Sequence, residues 1–245
     1  MNDKECIGEL RKIDPKKIIK LGDNNKVDNF FLILGLVFND LKSLIFYSEL
    51  VKDEFKDIDK NSVTCENGEY GGINSHLSRL VSSTIFEFFK TLQNQTKVIS
   101  SSSFQIIFNK LNKKEKMLWQ EMLDLANKKN ISQKGVEFID ILENIRNNGS
   151  FHYYNSGEQL RKGFIDHFYT RHDQHKSNEL AYFFKGNNIL KNRYFYCDAA
   201  IQGFNYVRIK DKMSYEDYLK QIIEIGVRIN IIIAALIKVY LASKK

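Results

Sequence analysis

A single proline, Pro15, in 245 residues restricts the fold of this chain more than any other feature. An all-β sandwich needs a turn signal about every 8–12 residues. One proline and 13 glycines cannot supply them, so long, uninterrupted helices are the expected content. Hydrophobic spacing agrees: Phe30, Leu34, Val37, Leu41, Leu44, Val51 and Phe55 recur at helical intervals and predict a long amphipathic helix from Val27 to about Phe55. Ile73, Leu77, Leu80, Ile85, Phe88 and Leu92 predict a second, returning antiparallel to the first.

Between them, Asp57 to Gly72 is acidic and interrupted by Gly68, Gly71 and Gly72, which reads as a loop. Beyond the serine run Ser100 to Ser103, a short helix is expected over Phe104–Leu111 and a medium one over Lys113–Lys128. Ser132 suits the N-cap of a helix carrying Val136, Phe138, Ile139, Leu142 and Ile145. Gly157 to Thr170 reads as helix, Arg171 to Lys191 as irregular, and Tyr194 to Val207 as helix in preference to strand. Ser214 with Asp217 starts a final long helix bearing Leu219, Ile222, Ile229, Ile233, Leu236 and Tyr240. The expectation is an all-α antiparallel bundle of about four long helices plus shorter ones. It forms a single domain over residues 27–245, preceded by a polar extension over 1–26.

The net charge of +7 suits an anionic partner such as RNA. The excess rests on lysine, in a chain also rich in Ile, Asn and Tyr, and biased composition yields the same balance. Cys6, Cys65 and Cys197 are widely spaced and form no CxxC pair, so neither a disulfide framework nor a thiolate zinc site is expected, and a reducing cytoplasm fits. The start, Met1-Asn2-Asp3-Lys4-Glu5, has no apolar stretch behind it that would read as a secretory signal. The most apolar segment, Ile229 to Ala242, is interrupted by Lys238. Its longest apolar run, Ile231 to Ile237, is too short to span a bilayer, so no membrane role is expected.

The chemistry-bearing segment is Arg146-Asn147-Asn148-Gly149-Ser150-Phe151-His152. Asn-Asn-Gly reads as a helix end, which would leave Arg146 on the last turn and His152 just past the break. A guanidinium forks onto two phosphate oxygens, and an imidazole moves protons near neutral pH. Phosphodiester cleavage needs both. A plainer reading of the same residues is a helix-end cation with capping neighbours, and a histidine packed among Phe151, Tyr153 and Tyr154.

This segment resembles the R-x(4–6)-H motif of the HEPN superfamily, in which a polar residue follows the arginine. Arg146, Asn147 and His152 match those three positions. The resemblance implies a helical-bundle ribonuclease without metal or other cofactor. His152 would transfer the proton, Arg146 would neutralise charge on the phosphate, and Asn147 would orient one of them. It also implies a homodimer in which two motifs share one cleft, and a toxin or antiviral-defence role with a neutralising partner protein. Tyr153 and Tyr154 are candidates for stacking RNA bases, with Asn148 beside them, although packing explains the tyrosines too. The alternative class is a non-catalytic HEPN-like module for interaction or ligand binding.

A second pair with the same spacing, Arg161 and His167, has Lys162 after the arginine and lies in continuous helix, so it does not match as well. Asp166, His167, His172, Asp173 and His175 are metal-ligating types, but their spacing matches no familiar site, and no metal is expected. Asp140 and Glu143 read as the exposed face of the helix before Arg146. No phosphate-binding glycine loop occurs.

Overall fold

Helices begin where the sequence supplies a side-chain oxygen for the first free N–H groups. In the computed structural model, which describes residues 12–19, 22, 25–59, 64–150, 157–170, 181–187 and 192–244, Asn25 caps α2 (Lys26–Glu54) and Thr64 caps α3 (Cys65–Asn94). A short α1 (Pro15–Ile18) precedes them, with Asp14 as its cap and proline at its first position. After α4 (Thr96–Ile99) and α5 (Ser102–Phe108), Asn112 and Glu115 exchange backbone hydrogen bonds in a capping box that starts α6 (Lys113–Asn127). Ser132 caps α7 (Gln133–Ile145), as its sequence position suggests. There follow α8 (Gly157–Ile165), α9 (Phe195–Ile209) and α10 (Tyr215–Ser243), the last capped by Ser214 through the Asp217 N–H.

The protein is therefore an all-α bundle, with no strand among the described residues beyond an isolated bridge between Phe184 and Arg193. Three helices of 29 or 30 residues, α2, α3 and α10, dominate, and α6, α7 and α9 of 13–15 residues complete the packing. Central in this arrangement is α3, which packs against α2, α6, α7, α9 and α10. Its Ile85, Phe88, Phe89 and Leu92 are fully enclosed with Leu34 and Leu41 of α2 and Ile229, Ile232, Ile233 and Leu236 of α10. Each such side chain contributes about 1.5–3 kcal/mol on burial, which is why the period-3.6 pattern sets the bundle.

Two polar clusters inside this core are hydrogen-bonded. Ser82 donates to the Ser78 carbonyl, so Tyr218 must donate to Ser82 Oγ, 2.5 Å away, and burial of that phenol drives its pKa up. Asp28, buried at the start of α2, accepts from Tyr240 at 2.9 Å and pairs with Lys244 at 2.7 Å. That contact ties the end of α10 to the beginning of α2.

Two local features differ from the sequence expectation. The glycine-rich stretch before Ile73 is helix, since α3 already begins at Cys65. Its glycines serve close packing instead of turning: a Cβ on Gly72 would strike the Arg193 guanidinium, and one on Gly68 the Phe195 ring. The break expected after Arg146 is absent. Residues Arg146–Ser150 continue α7 as a π turn, and Gly149 is not in the left-handed region that a glycine C-cap requires. A second π turn, Asp166–Thr170, extends α8.

Candidate functional site

The π turn after α7 is held against α3 by two guanidinium groups. Arg79, buried on α3, donates through Nη1 to the Gly149 carbonyl at 2.5 Å and through Nε to the Ser75 carbonyl at 3.3 Å. Arg146, partly exposed, donates through Nε to Glu87 of α3 at 2.6 Å and through Nη1 to Asn147 Oδ1 at 3.2 Å. Asn148 donates to the Asn144 carbonyl one turn back, at 3.2 Å. Of the motif residues, the structure thus brings Arg146 and Asn147 into contact and turns Asn148 onto its own helix. His152, Tyr153 and Tyr154 lie outside the described residues.

Three groups at this turn were not evident as a site in the sequence: His76, Arg79 and Glu87, all on α3. His76 is exposed at the rim, with Nδ1 3.3 Å from Arg79 Nη2. A guanidinium only donates, so Nδ1 accepts and the proton of the neutral ring sits on Nε2, facing away from Arg79. Partial burial first, then the Arg79 and Arg193 charges, lower the His76 pKa from its ordinary 6.5, against a weaker opposing pull from Asp198. The imidazole is therefore neutral at pH 7. Arg193 forks between Glu69 at 2.7 Å and Asp198 at 2.9 Å, linking α3 to the start of α9.

One sequence signal could have pointed to this face. Gly72, Ser75, Arg79, Ser82 and Ser83 recur at helical spacing on α3 and are all buried. Small residues so placed mark where another backbone approaches closely, and an arginine among them must find acceptors. Behind the turn, the buried Asn205 Oδ1 of α9 has no hydrogen-bond partner among the described residues and lies 3.6 Å from where a Gly149 Cβ would be.

The other candidates are less coherent. Of the possible metal ligands, His167 sits in the π turn of α8 with its ring edge-on to Phe168, while His172, Asp173 and His175 lie outside the described residues. Among the described residues, no group of three or more His, Cys, Asp or Glu side chains is placed to hold a metal. Asp140 pairs with Lys128 at 2.6 Å on the surface. A separate cavity of about 500 Å³ opens among α2, α3, α9 and α10, lined by Tyr70, Leu77, Tyr206, Tyr215 and Ile223, with the buried Ser75 Oγ, which has no hydrogen-bond partner among the described residues, in its wall. Cys65 and Cys197 are free and exposed.

Comparison with known proteins returned no matching family model, no matching curated protein and no matching solved structure.

Proposed function

We propose that this chain is a metal-independent endoribonuclease of HEPN type, with Arg146, Asn147 and His152 as its working residues. The observation that carries the reading is the Arg146-to-His152 motif. In support, Arg146 stands partly exposed on a widened helical turn, its guanidinium steadied by Asn147 Oδ1, with a second guanidinium, Arg79, pinning the same turn.

In this reading the RNA 2′-hydroxyl attacks the adjacent phosphorus and the P–O5′ bond breaks, giving a 2′,3′-cyclic phosphate and a 5′-hydroxyl. His152 takes the 2′-hydroxyl proton or returns one to the leaving O5′, and Arg146 meets the charge on the non-bridging oxygens. A homodimer would supply both proton-transfer roles from two copies of the motif. The neutral His76, on the rim of the same turn, offers an N–H to a phosphate approaching from solvent. A growth-arresting or antiviral-defence role, with a neutralising protein partner in the cytoplasm, follows from this proposal.

The test is cleavage of a mixed RNA pool in EDTA by wild type, Arg146→Ala and His152→Ala. Wild type should yield cyclic phosphate ends, and each variant should lose about 10²–10⁴-fold in rate. Equal products from all three proteins would end the proposal. The non-catalytic reading is favoured by one observation, the 500 Å³ cavity whose wall holds Ser75 Oγ, without a hydrogen-bond partner among the described residues. Under it, Arg146→Ala lowers stability and changes nothing in the RNA.

A further inference from the structure

Helix α2 buries one face and leaves the opposite one bare. Among the described residues it is the one helix long and apolar enough to cross a membrane, and only 22% of its most apolar window is buried. Leu32, Leu36, Phe46 and Leu50 are between 44% and 61% exposed, and Asn39 and Ser43 lie between them, exposed as well. The positions 32, 36, 39, 43, 46 and 50 advance by 4, 3, 4, 3 and 4 residues. That is the spacing of a seam between two packed helices, not of a solvent face.

The seam is also its own complement when reversed. About a two-fold axis beside position 41, Leu32 meets the partner's Leu50, Leu36 meets the partner's Phe46, and Asn39 meets the partner's Ser43. Apolar layers thus fall on apolar layers and the single polar layer on itself. On one flank Ile33 meets the partner's Tyr47, both exposed in the single chain. Beside α2, α10 adds Ile223, Val227 and Ile231, also exposed. A fully buried aromatic side chain covers roughly 150–250 Å²; at about half of that for each of these nine partly exposed side chains, the face presents on the order of 800 Å² per copy, about what each partner in a standard dimer contributes.

We infer that α2 pairs antiparallel with α2 of a second copy of this chain, in an isologous contact centred on Asn39 and Ser43. A lipid surface is the poorer fit. The helix carries three lysines against five acidic residues, where a membrane-surface helix is rich in cations, and its polar centre would sit at the deepest point of insertion. The contact is independent of the nuclease reading. The Arg146 turn packs on α3, α7 and α9, so pairing through α2 leaves it outside this interface, and a composite cleft would need a further contact and a tetramer.

Sedimentation of the full chain gives the first readout: Leu36→Glu, a change at an exposed position, should halve the sedimenting mass and weaken association on the order of a hundredfold while leaving the helical content of the chain intact. Register gives the second. In a chain with Cys6, Cys65 and Cys197 replaced by serine, Asn39→Cys mixed with Ser43→Cys should oxidise to a cross-linked dimer at least about tenfold faster than either alone. The same register sets Asp40 beside the partner's Asp40, so Asp40→Asn should tighten the contact roughly two- to fivefold. A monomeric wild type, an unchanged mass in Leu36→Glu, equal cross-linking of Asn39→Cys alone, or a monomer that floats with anionic phospholipid vesicles would each overturn the inference.

Discussion

Replacing Arg79 with methionine tests how the Arg146 turn is held. The substitution keeps most of the side chain's length and its contacts along α3 but deletes the charge and every N–H donor. The short bond to the Gly149 carbonyl is a hydrogen bond from a charged donor, of a kind that contributes about 1.5–3 kcal/mol. Losing it also deprives a buried carbonyl of that donor, at about 1–3 kcal/mol. The two 3.3 Å contacts, to the Ser75 carbonyl and His76, add less, and removing a buried charge returns part of its desolvation cost. The net expectation is a destabilisation of about 2–4 kcal/mol. For a chain of this size that is a fall in Tm of roughly 5–15 °C. Urea denaturation measures the free energy. A histidine NMR titration gives a second readout: without the Arg79 charge, the His76 pKa should rise part of the way back toward 6.5. A variant within about 0.5 kcal/mol of wild type, with His76 unshifted, would refute the account of the turn.

Three further outcomes follow from the packing. A Cβ on Gly163 of α8 would strike the Ala200 carbonyl and come within 2.9 Å of Phe204 Cβ on α9; Gly163→Ala should therefore destabilise by about 1–3 kcal/mol in thermal unfolding. Ser75→Ala deletes a buried hydroxyl that has no partner among the described residues, so the chain should be unchanged or up to about 1 kcal/mol more stable, and a clear loss would mean the hydroxyl is engaged. The His76 pKa is lower folded than unfolded, so between those values the unfolded chain binds more protons and stability rises with pH. Acidification below 6.5 should thus cost stability in wild type and cost less in His76→Gln, as read from Tm between pH 7.5 and 5.5.

Much of the bundle was legible in the residues because burial follows period. Phe30, Leu34 and Leu41 face the core at helical spacing, and α2 spans nearly the expected bounds, while Leu32, Leu36, Phe46 and Leu50 of the same helix stay exposed. Ser132 and Ser214 announced their helices because a cap is a local hydrogen bond that needs no tertiary partner. Glycine misled where tertiary contact, not turn geometry, set its role: Gly68 and Gly72 lie inside α3 because Phe195 and Arg193 press on them from residues far along the chain. Asn147-Asn148-Gly149 has the letters of a stop, yet Arg79 of α3 satisfies the Gly149 carbonyl and the chain stays helical. In the candidate site, Arg146 and Asn147 were legible from the motif. His76, Arg79 and Glu87 were not, since only the packing of α3 against the turn brings residues some sixty to seventy positions away beside them.

The π turn at Arg146–Ser150 has a consequence for how this segment tolerates change. Such a turn is an α-helix carrying one surplus residue, so its length, more than its letters, fixes what comes next. Because the bulge absorbs that residue, excising Asn148 would let Arg146–Ser150 relax to ordinary winding, whereas inserting a second residue would add about 100° of rotation that the turn does not take up. Within these five positions an insertion should therefore be more damaging than a deletion.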